Sequence, residues 1–483
     1  MKLNNKLFRN AIMAGAFGLL AVAVAACDQD PKPDWNEPAP VQFDKTAVSI
    51  AEGAVVPAST PVLTITYAQP VAINSLAPIT LNGSAVTAQL ADANTISIAL
   101  SLIEGQSYVL DVPARAIAGR GTQTFAPAFT LNFSTEAKPV TPASFGDLCN
   151  ANATAQAKNV YNFFKEQNGK KIVTGAMANV NNNNEFSEWV ETITGKLPAI
   201  NGYDFIHLPE SLAGQNWIDY MNIAPAQSWW DNNGLVQYMW HWRVPTDEQA
   251  YNDKDYNKYG TYFPGTGDNP TEFDIREALK EGTWEHKVIM DDINAVADVL
   301  AKLQEANIPV IWRPLHEAAG SYVNNQGAWF WWGRYGDEYV IELWKLMYNE
   351  LVNVRGLNNL IWVWTAQYAE GYEAQMKAAY PGDEYVDIVG VDIYATDDNS
   401  QLKAYQAVMD MTGGKKIPVI SETGLIQSPA KCLADGAKWG YFMLWYTTEG
   451  GKPCLGFGNT EDSLLEVFTS QEVINRGDMP SLK

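Results

Sequence analysis

Histidine and cysteine are scarce in this chain of 483 residues, which contains four of each. Four cysteines are too few for a disulfide framework in a chain this long, although one pair among Cys149, Cys432 and Cys454 could still bridge. The segment HEAAG (316–320) begins like a His-Glu-x-x-His zinc motif, but a glycine occupies the position of the second histidine. We therefore expect no metal site and no cofactor.

Basic residues are also few, because 33 lysines and arginines stand against 55 aspartates and glutamates and give a formal net charge of −22. Such an acidic surface repels phosphate backbones, which excludes nucleic acid as a partner. The sequence also lacks a basic amphipathic stretch that would bind anionic lipids. A neutral polymer is neither attracted nor repelled by this negative charge, so it remains a possible ligand. We expect the chain to be a monomer.

The first 26 residues have the pattern of an export signal, in which basic residues precede the apolar run AIMAGAFGLLAVAVAA. Cys27 follows this run, and VAAC (24–27) resembles the lipobox of bacterial lipoproteins, where cleavage before the cysteine leaves its sulfur to carry a lipid. A transmembrane helix is the alternative, but the run is short for a span of about 20 residues. We predict an exported protein, anchored through lipid on Cys27 at the outer membrane, the cell surface or the periplasmic face.

Two segments separate this signal from the bulk of the chain. Residues 27–42 are rich in proline and acidic residues, which favours an extended tether. Residues 43–135 contain short stretches with period-two alternation, such as VLTITY and FTLNF, separated by turn formers. This pattern predicts a small antiparallel β-sandwich and resembles bacterial Ig-like modules, with a spacer role favoured over sugar binding. Residues 136–143 are expected to form a linker.

Residues 144–483 alternate apolar strand-like runs with helical patterns, which is typical of parallel βα units. A doubly wound sheet is the alternative, but no glycine-rich turn follows the first run, so a dinucleotide site is unsupported. The pattern therefore predicts an α/β fold of the (β/α)8 TIM-barrel class, with insertions. The eight predicted strands are 172–177, 197–202, 235–242, 308–317, 360–367, 386–394, 418–424 and 441–448.

Polar residues at the carboxyl ends of barrel strands point into the active site. Glu317 and Glu422 end the fourth and seventh predicted strands, so their carboxylates are expected to face each other across the mouth of the barrel. Each glutamate alone has a simpler explanation, a salt bridge or a helix cap. As a pair they suit glycoside hydrolysis, in which one carboxyl is the acid and base and the other the nucleophile. Arg313, deeper on the fourth strand, is expected to orient carboxylates.

The segments WRPLHE, WFWWG (329–333) and ISETG (420–424) together resemble glycoside hydrolase family 26, over residues 150–475. That family consists mostly of retaining endo-β-1,4-mannanases on a (β/α)8 barrel. The resemblance implies that Glu317 is the general acid/base and Glu422 the nucleophile. It also implies substrate contacts for His241, His316, Trp329, Tyr394 and Trp445. The segment 321–327 lengthens the gap before Trp329 beyond what the family suggests.

Tryptophan is abundant, with 17 residues, and aromatic faces bind the apolar faces of sugar rings. Trp364 is a further substrate-binding candidate on this basis, and tryptophans near other strand ends are also candidates for the cleft: Trp229, Trp230, Trp240, Trp242, Trp331 and Trp332. The substrate is expected to be a neutral polysaccharide of the β-mannan type. Two alternatives remain, a β-glucanase or xylanase on the same scaffold, and a surface lipoprotein that binds glycan without cutting it.

Overall fold

The computed structural model describes residues 42–137, 139–263, 267, 270–318 and 329–483. The predicted signal, Cys27, most of the tether and the segment 321–327 lie outside these ranges. Contacts divide the chain between Pro139 and Val140 into two compact units. No helix among the described residues is long and apolar enough to cross a membrane. Three cysteines have free thiols: Cys149, Cys432 and Cys454.

The first unit consists of short strands in sheets ordered β1-β3-β8-β7, β2-β11-β9-β5-β6 and β10-β4. All of these pairings are antiparallel except that between β2 and β11. Alternate residues of β3, β8, β9 and β11 are buried in one apolar core. The strands are β1 Lys45–Val48, β2 Ala54–Val56, β3 Val62–Tyr67, β4 Val71–Ile73, β5 Thr80–Leu81, β6 Ser84–Ala85, β7 Ala88–Leu90, β8 Thr95–Ala99, β9 Ser107–Val112, β10 Ile117–Gly119 and β11 Phe129–Thr135.

The second unit is an eight-stranded parallel barrel, as the sequence predicts. Its strands pair in the order β12-β13-β14-β17-β18-β19-β20-β21, and pairing of β21 with β12 closes the ring. They are β12 Ile172–Met177, β13 Ile200–Asp204, β14 Leu235–Met239, β17 Val310–Arg313, β18 Leu360–Gln367, β19 Ile388–Ile393, β20 Ile417–Thr423 and β21 Tyr441–Leu444. The hairpins β15 Val244–Pro245 with β16 Tyr259–Gly260, and β22 Thr448–Glu449 with β23 Lys452–Pro453, lie outside the ring, and β24 Val473–Ile474 pairs with β12.

Helices lie between the barrel strands and bury one face against them. In the longest, α7, apolar residues recur at helical spacing and are buried, and the Thr283 hydroxyl caps the first turn by accepting from the His286 backbone N–H. The helices are α1 Ala155–Gln167, α2 Glu185–Thr194, α3 Leu208–Leu212, α4 Ala224–Asp231, α5 Glu248–Asp253, α6 Ile275–Ala278, α7 Trp284–Glu305, α8 Asp337–Tyr348, α9 Glu373–Ala378, α10 Leu402–Thr412, α11 Pro429–Asp435 and α12 Glu461–Thr469.

Several strands end earlier than predicted. β14 ends at Met239 rather than 242, β17 at Arg313 rather than 317, and β21 at Leu444 rather than 448. The apolar residues that suggested longer strands continue into the loops after these strands. There they pack against other residues and do not pair with a neighbouring strand. As a result, His241, Glu317 and Trp445 lie in loops just past the strands that support them.

Candidate active site

Glu317 occupies an irregular turn directly after β17. Leu315 and Glu317 have positive φ angles of 49° and 50°, so the regular alternation of side chains stops here. The Glu317 backbone N–H donates to the Thr365 carbonyl at 3.3 Å, and the Trp329 indole N–H donates to the Glu317 side chain (Oε2) at 2.8 Å. This turn aims Glu317 into the barrel mouth, where its side chain is almost fully buried.

Glu422 reaches the same mouth through an irregularity in β20. The register between β19 and β20 shifts between Val391 and Asp392, so that Asp392 pairs with Glu422 rather than with Ser421. Such a bulge allows consecutive side chains to turn toward one side of the sheet. Accordingly, Ser421 donates to Asp392 at 2.7 Å, while the neighbouring Glu422 accepts from the Tyr394 hydroxyl at 2.7 Å.

Three carboxylates meet in this mouth around one guanidinium. Glu317, Asp392 and Glu422 each place an oxygen within 4.8 Å of the others. Arg313, buried on β17, donates to Glu422 at 2.7 Å and to Asp392 at 2.5 Å. The guanidinium therefore bridges two of the three acids, as the sequence predicts for Arg313, and Glu317 is the carboxyl without this cation.

The electrostatics of the three acids follow from that arrangement. Burial raises the pKa of Glu317 well above its usual range, and the nearby charges of Asp392 and Glu422 raise it further. Burial also raises the pKa of Asp392, to about 7, with Arg313 opposing the shift. The closeness of Glu317 and Asp392 raises the pKa of Glu317, because a proton on Glu317 relieves the repulsion between the two carboxylates. Glu317 is thus a carboxyl whose protonated form the site strongly favours.

Two histidines line the site beside these acids. His241 Nδ1 lies 2.5 Å from Asp204, and the His241 backbone N–H donates to the same carboxylate at 2.9 Å. The Nε2 atoms of His241 and His316 are 3.1 Å apart. Burial alone would lower the pKa of His241, but the charge and hydrogen bonds of Asp204 raise it overall. Burial and the charges of His241 and Arg313 lower the pKa of His316 well below its ordinary value.

The structure brings five of the six predicted substrate-binding residues to this mouth. Trp329 and Tyr394 are hydrogen-bonded to Glu317 and Glu422, and His316 and Trp445 contact His241. The half-buried Trp445 ring lies 5.8 Å from the imidazole of His241. Burial raises the pKa of Tyr394, so its hydroxyl is a proton donor to Glu422.

Trp364 is the exception, and its assignment to the substrate cleft is wrong. Its side chain is 1% exposed and packs edge-on against Tyr380, 5.3 Å away between ring centres. The next residue of β18, Thr365, points into the barrel, where it accepts from Arg313, so alternation turns Trp364 outward toward the helices. The other tryptophans proposed for the cleft are also buried: Trp229, Trp230, Trp240, Trp242, Trp331 and Trp332.

Asp204 and Asp392 were not selected from the sequence, yet both belong to the site. Each lies at or near the end of a barrel strand, which is the signal that selected the two glutamates. Asp204 was missed because the predicted second strand stopped at residue 202, two residues short of its observed end. Asp392 lies near the end of the sixth predicted strand, 386–394, but its contacts with Arg313 and Ser421 depend on the bulge.

The family model of glycosyl hydrolase family 26 matches residues 149–455, which covers the barrel and the site. This chain belongs to glycosyl hydrolase family 26. Among curated relatives, mannan endo-1,4-beta-mannosidase B of Piromyces sp is 36% identical over 363 residues, 73% of this chain and 57% of that protein. Mannan endo-1,4-beta-mannosidase of Thermothelomyces thermophilus is 30% identical over 333 residues, 68% of this chain and 62% of that protein.

Two solved structures are each similar to more than two-thirds of this chain. A β-mannanase from a symbiotic protist of the termite Reticulitermes speratus, in complex with gluco-manno-oligosaccharide, is 31% identical with a TM-score of 0.61, covering 70% of this chain and 99% of that one. The family 26 domain of an endo-β-mannanase/endo-β-glucanase from Prevotella bryantii is 36% identical with a TM-score of 0.61, covering 69% and 99%. The chain spans less than two-thirds of the length of the curated relatives above.

Proposed function

We propose that this chain is a retaining endo-β-1,4-mannanase that hydrolyses mannan, glucomannan or galactomannan. The observation that carries the mechanism is the approach of Glu317 and Glu422, whose carboxylate oxygens lie within 4.8 Å of each other. Retaining glycosidases need about 5 Å between their two carboxyl groups, whereas inverting ones need roughly 6.5–9.5 Å to admit a water. The names of the relatives support β-mannan as the substrate.

In the first step Glu422 is the nucleophile. Its carboxylate attacks the anomeric carbon, the glycosidic C–O bond breaks, and Glu317 gives its proton to the departing oxygen. Arg313 and Tyr394 hold the two oxygens of Glu422 by hydrogen bonds, which fixes the direction of attack. The high pKa of Glu317 keeps the proton available for this step.

In the second step the roles of the two acids change. Once Glu422 is bound to the sugar it carries no charge, so one of the charges that raise the pKa of Glu317 is gone. Glu317 can then stay ionised and remove a proton from water. The resulting hydroxide attacks the anomeric carbon, the bond to Glu422 breaks, and both carboxyls return to their starting state. His241, His316, Trp329, Tyr394 and Trp445 are the proposed substrate contacts around this centre.

Activity and stereochemistry test this proposal together. The full-length chain should release reducing ends from β-mannans faster than from mixed-linkage glucan or xylan, and NMR should show the β-anomer as the first product. Glu422→Gln should lower kcat by about 10³-fold or more while oligosaccharide binding persists. A first product of inverted configuration would exclude the retaining mechanism. Faster cleavage of glucan or xylan would identify that polymer, rather than β-mannan, as the substrate. Binding without cleavage of any polymer would favour a glycan-binding lipoprotein.

The location of the protein and its N-terminal unit form a separate part of the proposal. The signal pattern followed by Cys27 supports export and a lipid anchor, at the outer membrane, cell surface or periplasmic face. The mainly antiparallel sheets of residues 45–135 support an Ig-like spacer that holds the barrel, from residue 144 onward, away from the membrane. Mass spectrometry of the membrane-extracted protein should find a lipid on Cys27, and Cys27→Ser should release the protein. An unmodified Cys27 in the membrane fraction would refute the anchor.

A further inference from the structure

Phe457 is an exposed aromatic residue with an unusual backbone conformation. It lies in the loop between β23 and α12, its side chain is 48% exposed, and its φ is 56°. The left-handed region is costly for a bulky residue, and a conformation of this kind persists only when surrounding contacts impose it. Phe457 lies two residues beyond the matched family region, which ends at 455.

The contacts that impose this conformation connect Phe457 to the strand of the proposed nucleophile. The ring covers Gly424, where a Cβ would lie 2.8 Å from the Phe457 Cγ, so a side chain at 424 would displace it. Asn459, two residues after Phe457, ties the same loop to the segment after β20. Its side chain donates to the Gly424 carbonyl at 2.8 Å and accepts from the Ile426 backbone N–H at 3.2 Å. The loop is therefore held against the residues that follow Glu422.

The exposed ring also borders the candidate active site directly. It lies 5.4 Å from the ring of Tyr394, whose hydroxyl donates to Glu422. Tyr394 is itself 44% exposed, so two neighbouring aromatic rings remain open beside the mouth of the barrel. The phenyl ring contacts Gly424 and Tyr394 and leaves about half of its surface open, where the apolar face of a ligand can stack on it.

We propose that Phe457 is a platform for a further pyranose ring of the polysaccharide, next to the sugar held at Glu422. This inference rests on the proposed function and extends it to a specific residue. The phenyl ring offers a flat apolar face and no hydrogen-bonding group, so it recognises the C–H face of a sugar rather than its pattern of hydroxyls. Phe457 therefore sets the preference for chain length, and it tolerates both mannose and glucose at this position.

Binding to chains of different length tests the platform. In full-length chains that carry Glu422→Gln, calorimetry would compare Phe457 with Phe457→Ala, Phe457→Leu and Phe457→Trp, using a manno-oligosaccharide of six sugars and the single sugar mannose, which is too short to fill the position at Glu422 and the platform together. The Ala variant should bind the six-sugar chain about fivefold more weakly, because the sugar loses its contact with the exposed half of the phenyl ring. Leu keeps a contact with Gly424 but has no flat face and should behave like Ala, whereas Trp should match Phe. Leu465→Ala, which removes a similarly exposed side chain on α12, should change nothing.

The dependence on chain length separates binding from packing. Unchanged affinity of the Ala variant for the six-sugar chain would overturn the proposal, and so would an equal loss for the long and the short ligand, which would indicate an effect through Gly424. Failure of the wild-type chain to hydrolyse β-mannan would overturn the proposed substrate instead. The same variants would then be compared on a long oligosaccharide of the β-glycan that is hydrolysed and on its single sugar, with the same pattern expected.

Discussion

His241 and His316 face each other through their Nε2 atoms, 3.1 Å apart, and Asp204 accepts from the opposite nitrogen of His241. One of the two Nε2 atoms has to donate and the other has to accept. The pKa of His241 is raised and that of His316 is lowered, so His241 is the ring that takes up a second proton more readily. Asp204 thus favours a positive charge on His241, beside Glu422 and Arg313.

Removing the charge of Asp204 should weaken the binding of a second proton to His241. In Asp204→Asn the burial of His241 is no longer opposed by the carboxylate, so its pKa should fall and the imidazolium should be lost at lower pH than in the wild type. A ¹⁵N NMR titration can follow this directly, because the chain has only four histidines and single His→Gln variants assign them. Asp298→Asn, which removes an exposed carboxylate, is the control. An unchanged titration of His241 in Asp204→Asn would contradict this account.

Glu317 should make the folded protein less stable as the pH rises. Its folded-state pKa lies above its unfolded value, so the native state binds more protons between the two pKa values and stability falls across that window. Glu317→Gln has no such proton, and its Tm advantage over wild type should grow by roughly 2 °C or more from about pH 5 to about pH 8. The exposed Glu342→Gln serves as the comparison. A Tm difference that stays constant with pH would show that the buried carboxyl is not protonated in the native state.

Arg313 should matter for folding as well as for catalysis. Arg313→Met leaves the buried carboxylates of Asp392 and Glu422 without their cation, and breaking such a pair costs about 3–5 kcal/mol in unfolding free energy. Arg355→Met removes a partly exposed ion pair with Asp298 and should cost about 1 kcal/mol or less. Urea denaturation of the two variants measures the difference. Equal losses would mean that the internal ion pairs contribute no more than a surface pair.

Two tryptophans near the barrel should have opposite phenotypes. Trp364→Ala removes a buried ring that packs on Tyr380 and should cost about 3–5 kcal/mol of stability. Trp445→Ala removes a half-buried ring beside His241 and should lower kcat/KM by about tenfold with a smaller change in Tm. Thermal denaturation and initial rates on soluble mannan separate the two effects. If a Trp364 variant of normal stability had a lower kcat/KM, Trp364 would be a substrate-binding residue after all.

Some parts of the site follow from sequence because strand ends can be located without coordinates. The strands of a parallel barrel are buried on both faces and give continuous apolar runs, so the eight strands were predictable and Glu317 and Glu422 could be placed at their ends. The selection of Trp364 as an aromatic residue near a strand end failed, because an apolar run does not reveal which of its residues face inward. The search for polar residues at strand ends also missed Asp204, because the end of its strand was predicted two residues too early.

The sequence by itself determined the barrel, its eight strands and the position of two glutamates at or just after strand ends, because apolar strand runs and the helical patterns between them are local features of the chain. Only the tertiary structure decided that the pKa of Glu317 is raised, that Arg313 bridges Asp392 and Glu422, and that the pKa of His241 is raised while that of His316 is lowered. Those outcomes depend on left-handed residues after β17, a bulge in β20 and distances of a few ångströms between distant parts of the chain. Electrostatic energies vary steeply over such distances, and no local pattern encodes them.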